Sequence, residues 1–87
     1  MKLKNYMEDV VFHLLLDILK DMDDVCKCEK CVHDIAALSL NRLKPQYVVT
    51  EKGEAYSKVL EMYTQFQVDV TTVILESIEQ VSRNPRH

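Results

Sequence analysis

All three cysteines of this chain fall in one stretch, Val25-Cys26-Lys27-Cys28-Glu29-Lys30-Cys31-Val32-His33-Asp34, set between two helical patterns. Cys-x-Cys-x-x-Cys offers three soft donors within six residues. The Cys28-x-x-Cys31 half has the spacing at which one turn presents two thiolates to a tetrahedral ion. The stretch contains no glycine, so metal bonds would have to hold a bend that backbone preference alone does not favour. It predicts a short cysteine-rich, metal-binding loop occupied by structural zinc. Three thiolates need a fourth donor: His33 is the nearest candidate and Asp34 the next, with water or another subunit as further sources. Lys27 and Lys30 would offset the negative charge of a tris-thiolate site. A closed site of this kind is structural, because catalytic zinc keeps an exchangeable position.

Two other readings of the cysteines compete. Cys28 and Cys31 could be a redox pair, but the βαβ context of a thioredoxin-like motif is missing. They could be plain reduced thiols, for which a charged stretch is a poor setting. An odd number of cysteines cannot pair completely within one chain.

Length and composition bound the rest. Eighty-seven residues make one domain, spanning 1–87. A chain this short often leans on a metal or a partner subunit. One Gly and two Pro leave little room for loops, so long helices are expected. A formal charge of −3 argues against nucleic acid as a partner, which would call for a basic surface. No run of apolar residues is long enough to span a membrane, and Met1–Asp9 lacks the apolar core of a signal peptide, so the reading is cytoplasmic.

Three helices are expected, at about 5–22, 32–43 and 51–82. Asn5 and Glu8 have capping-box spacing. Leu3, Met7, Val10, Val11, Leu14, Ile18 and Met22 form one stripe, widened by Phe12, Leu15, Leu16 and Leu19. A helix apolar nearly all round is central to its assembly, and so little chain remains to cover it that a homo-oligomer is expected. Asp21, Asp23 and Asp24 oppose the macrodipole at its end. The second helix packs through Val32, Ile35, Ala36, Ser39 and Leu43, and Pro45 stops it. Gln46–Val49 reads as extended and Thr50 as an N-cap. The third helix carries Tyr56, Val59, Tyr63, Phe66, Val70, Val73, Ser77 and Val81 in 3-and-4 spacing, flanked by Leu60, Gln67, Ile74 and Ile78.

Lesser signals read plainly. Asp9, His13 and Asp17 share a helical face and are taken as solvated. Asn41, Arg42, Lys44, Tyr47, Thr50 and Lys52 surround the junction of the second and third helices. Amides opening a helix there would attract an anion, although spacing alone describes an ordinary polar connector. No nucleophile–base arrangement and no phosphate-cradling glycine loop is present, so no enzyme is expected.

Lys4-Asn5-Tyr6-Met7-Glu8, Cys26-x-Cys28-x-x-Cys31-x-x-Asp34-Ile35-Ala36-Ala37-Leu38, Leu40-Asn41-x-Leu43-x-Pro45-x-Tyr47-Val48 and Thr50-Glu51-Lys52-Gly53-Glu54 together resemble the late-competence ComFB family. The likeness runs nearly the whole chain. Lys44-Pro45 stands where many relatives have Pro-Pro. The resemblance implies a small all-helical homodimer with cysteine-bound zinc. The expected protein is thus a zinc-stabilised, intertwined homodimer acting as a regulatory or adaptor module on a protein partner. Some cyanobacterial relatives are receptors for cyclic dinucleotides. That implies a second role, cyclic di-GMP or di-AMP binding, at the Asn41-to-Lys52 junction.

Overall fold

The computed structural model describes residues 2–50 and 55–85, and within these it leaves the side chains of 2, 50, 55–63 and 65 undescribed. The order is β1 (Lys2–Asn5), α1 (Tyr6–Leu19), α2 (Glu29–Arg42), β2 (Tyr47–Thr50) and α3 (Ala55–Arg83). Three helices carry the fold, as the periodicity requires. A small antiparallel ladder, pairing Leu3 with Val49 and Asn5 with Tyr47, is added to them. The extended reading of 46–49 holds through β2, whereas β1 is unanticipated: Leu3 belongs to a strand and not to the first helical stripe.

Asn5 explains that difference. Its Oδ1 accepts from Met7 N at 3.1 Å and from Gln46 N at 2.9 Å. Tyr6 N donates to Gln46 O at 2.9 Å. One side chain thus caps α1 and ties the start of β2 to the end of β1. The chain before it is held extended and cannot join the helix.

At its other end α1 stops at Leu19, three residues short of the expected 22. Asp21 N and Met22 N instead donate to Ile18 O and Leu19 O, each three residues back. The helix tightens and ends as Asp21, Asp23 and Asp24 crowd its negative pole.

The core gathers Tyr6, Met7, Val10, Val11, Leu14, Leu15 and Leu19 from α1, Ile35 and Ala36 from α2, and Val70, Ile74 and Ile78 from α3. The α2 face matches expectation: Ile35, Ala36 and Ser39 are buried and Val32 and Leu43 half-buried. On α3 the buried face is centred on Ile74 and Ile78, which periodicity placed on the flank, while Val73 is only half-buried. Two buried serines are satisfied within their own helices, Ser39 Oγ to Ile35 O and Ser77 Oγ to Val73 O, both at 2.8 Å.

Thr50, expected as the N-cap of the third helix, ends β2 opposite Lys2, and Lys52 lies with 51–54 outside the described residues. No described helix is long and apolar enough to cross a membrane.

Candidate metal centre

The second helix begins at Glu29, three residues earlier than 32, because Cys28 is its N-cap. Cys28 Sγ accepts from Cys31 N at 3.4 Å, and Cys28 O accepts from Val32 N at 2.9 Å. Sulfur here does what Ser or Asp usually does at a helix start. Cysteine is not among the usual capping residues, so the start was missed, although an acceptor three residues before an amide was a readable signal. The cysteine stretch is therefore part loop and part helix. Cys26 lies in the loop, Cys28 at the cap, and Cys31 in the first turn, one helical turn before the core residue Ile35.

The three donor sulfurs lie within 4.8 Å of one another, and no other described group of His, Cys, Asp or Glu converges this way. None of the three is in a disulfide. A tetrahedral zinc with Zn–S of about 2.3 Å holds its sulfurs about 3.8 Å apart, so the cluster needs only small rotations to fit. Cys26 and Cys28 are exposed and Cys31 is 3% exposed. That asymmetry anchors the site to the core through one ligand and leaves its outer side open.

Electrostatics follow the same division. The Cys31 amide pointing at its sulfur, with the Cys26 side chain next, holds the Cys28 thiol below its ordinary value. Burial pushes the Cys31 thiol up to about 12, and the neighbouring Cys26 and Cys28 side chains push the same way. Three clustered thiols cannot all ionise without a cation between them. A divalent soft metal removes that conflict, so the donor set suits zinc chemically as well as by distance.

His33 stands outside the set of converging sulfurs. Its Nδ1 is 2.8 Å from Glu29 O, and its ring packs edge-on against Phe12 of α1, with centroids 6.0 Å apart. A carbonyl bond at one ring nitrogen is the arrangement that commonly orients the other toward a metal. Cys28, Glu29, Lys30, His33 and Asp34 line one open depression beside the cluster. On the far side Asp24, Val25, Cys26 and Cys31 share a cavity of about 230 Å³ with Val81, Ser82 and Pro85 from the end of α3. The cysteine corner thus touches all three helices.

Among the described residues, those named for the helix junction do not form one group. Arg42 bonds to Gln80 and lies 3.9 Å from Glu76, both on α3. Arg42 and Lys44 also line a cavity of about 220 Å³ with Met7, Gln46, Phe66 and Asp69. Asn41 lines a different depression beside Leu38 and Gln80. Tyr47 is exposed on the ladder. Asp9 and Asp17, read as part of a solvated row, take surface ion pairs with Lys4 at 2.7 Å and Lys20 at 3.1 Å.

A three-helix protein with a tri-thiol corner, and with a strand laid before its first helix, defines a narrow structural class. Residues 4–85 match the family of the late competence development protein ComFB, and the chain belongs to that family. It is 34% identical over 83 residues to the competence protein ComFB of Bacillus subtilis (strain 168), covering 95% of this chain and 85% of that one. It also superposes on the solved structure of the late competence protein ComFB from Bacillus subtilis with a TM-score of 0.82. That match is at 30% identity and covers 97% of this chain and 94% of the other.

Proposed function

We propose that this chain is a non-enzymatic, cytoplasmic regulatory or adaptor protein whose fold is completed by one structural zinc held by Cys26, Cys28 and Cys31. His33 or another donor fills the fourth position, and the working unit is a homodimer that engages a protein partner. The observation that carries this reading is the convergence of three sulfurs within 4.8 Å at the corner between α1 and α2. When bound, zinc cross-links the loop to the first turn of α2. Cys31 transmits that restraint to the core because it is itself buried. The purified chain is expected to carry about one zinc per chain and to lose helicity on strong chelation. Cys28→Ser should lower zinc content and stability together; unchanged stability in that variant would remove the structural role.

Dimerisation is supported by apolar surface that one chain leaves open. Leu3 and Val49 are cross-strand neighbours at 71% and 60% exposure, and Tyr47 beside them is at 61%. A two-stranded ladder is at best marginally stable alone and gains from being covered.

A second reading, a cyclic-dinucleotide receptor, has one observation in its favour. Arg42 and Lys44 flank a cavity with an apolar floor of Met7, Phe66 and Val70. Its volume of about 220 Å³ is below that of a typical small-molecule pocket, so it would seat only part of such a ligand. A thermal-shift titration with cyclic di-GMP and cyclic di-AMP separates the two readings. No response of the zinc-loaded protein at high micromolar ligand eliminates the receptor.

A further inference from the structure

Cys28 and Cys31 have a property that metal binding alone does not require: one sulfur is presented to solvent and the other is held behind it within a single helical turn. We propose that these two residues are an oxidisable dithiol pair inside the metal site. Peroxide closes a Cys28–Cys31 disulfide and so removes two of the three sulfur donors.

Four observations converge on this pair. The sulfurs lie within 4.8 Å of one another and none is bridged. Cys28 is exposed and open to a small oxidant, whereas Cys31 is 3% exposed and shielded from one. The Cys28 side chain is already folded back over the first turn of α2, its sulfur 3.4 Å from Cys31 N. Residues three apart in a helical turn are side-chain neighbours, with Cβ atoms about 5–6 Å apart. A disulfide needs Cβ atoms about 3.8 Å apart, which a modest adjustment inside one turn supplies. Cys26 shares the cluster but not the helical turn. It precedes the helix in irregular backbone, and closure onto Cys28 would have to bend the chain around Lys27 alone.

The chemistry balances with hydrogen peroxide as the oxidant. Cys28 gives up its proton to solvent, the thiolate attacks one peroxide oxygen, the O–O bond breaks, and the departing hydroxide takes up one proton from solvent and leaves as water. This leaves a sulfenic acid on Cys28. The Cys31 sulfur then attacks the Cys28 sulfur, the S–S bond forms and the S–O bond breaks, and the second hydroxide leaves as water with the Cys31 proton. Two thiols lose two electrons and two protons, and one peroxide becomes two waters. Closure leaves only Cys26 as a sulfur donor, too few for a closed zinc site. Metal occupancy and oxidation therefore exclude one another, and a thiol reductant reverses the exchange.

The test uses the full chain as purified, treated with hydrogen peroxide. Remaining thiols are alkylated and mapped by peptide mass spectrometry. The expected product is a chain lighter by two hydrogens, alkylated only at Cys26, and unable to take up zinc until reduced. Cys26→Ser should give the same bridge, and Cys31→Ala none. A bridge that includes Cys26, a disulfide between chains, or sulfinic acid on Cys28 without any bridge overturns the proposal. The unsubstituted chain and Cys26→Ser decide the matter even if Cys31→Ala fails to fold. The bridge is read by mass alone, so the outcome is independent of whether zinc is the resident ion.

Discussion

At the scale of single residues, burial sorts chemically similar groups into different roles. Cys31 and Cys28 are both thiols of one cluster, yet Cys31 is raised to about 12 and Cys28 is lowered. The sign of the consequence for the metal-free chain follows from linkage. The unfolded chain ionises Cys31 near the ordinary 9.0, and the folded chain not until about 12. Between those values the unfolded state binds fewer protons, so stability falls as pH rises through that window. Cys28 acts oppositely: its contribution is present above its ordinary value and is lost as pH falls through its folded one. Denaturant midpoints of the metal-free protein should therefore drop as pH rises from about 9 towards about 12, and Cys31→Ala should flatten that drop. A second residue-scale case is Tyr6. It is fully buried, and its hydroxyl has no hydrogen-bond partner among the described residues. A buried hydroxyl without a partner costs about 1–3 kcal/mol, so Tyr6→Phe should be neutral or stabilising by up to about that much in chemical denaturation.

At the scale of elements, what could be read from the sequence depended on whether the determining contacts were local. Helix identity was legible because it rests on 3-and-4 apolar spacing along a single segment, as with Ile35, Ala36 and Ser39 on α2. The cysteine cluster was legible for the same reason, since its three sulfurs lie within six residues. The strand β1 was not legible: its partner is some 45 residues away, and the ladder depends on Asn5 bonding to Gln46. The choice of Ile74 and Ile78 as the centre of the α3 face was also hidden, because it is set by where α1 and α2 lie. The early start of α2 escaped notice because a sulfur caps it. Asn5 is the element-scale test. Asn5→Ala removes the α1 cap, typically worth about 1 kcal/mol. It also leaves Gln46 N without its acceptor, for about 1–3 kcal/mol more. A loss of about 2–4 kcal/mol is expected by denaturant unfolding, with amide protection lost in β2 as well as at the start of α1. A loss confined to α1 would mean that the strand is held by something else.

At the scale of the whole molecule, the chain is elongated, 39 × 21 × 19 Å, with apolar surface open on the ladder and along α3, where Val68 is 78% exposed. This shape suits a protein finished by a second copy. Val49→Glu places a charge in the middle of the exposed ladder face and should shift the species in solution from twice the 10.2 kDa chain mass to the single chain, by light scattering. An unchanged dimer would place the interface elsewhere. On the proposed reading, zinc at the cysteine corner is the other device that finishes so small a core, cross-linking the loop after α1 to the first turn of α2. Zinc-edge X-ray absorption of the purified chain tests that claim most directly. Three sulfur neighbours at about 2.3 Å and one nitrogen or oxygen at about 2.0–2.2 Å are the expected shell. A shell of nitrogen and oxygen only, or a folded chain that takes up no zinc, would contradict it.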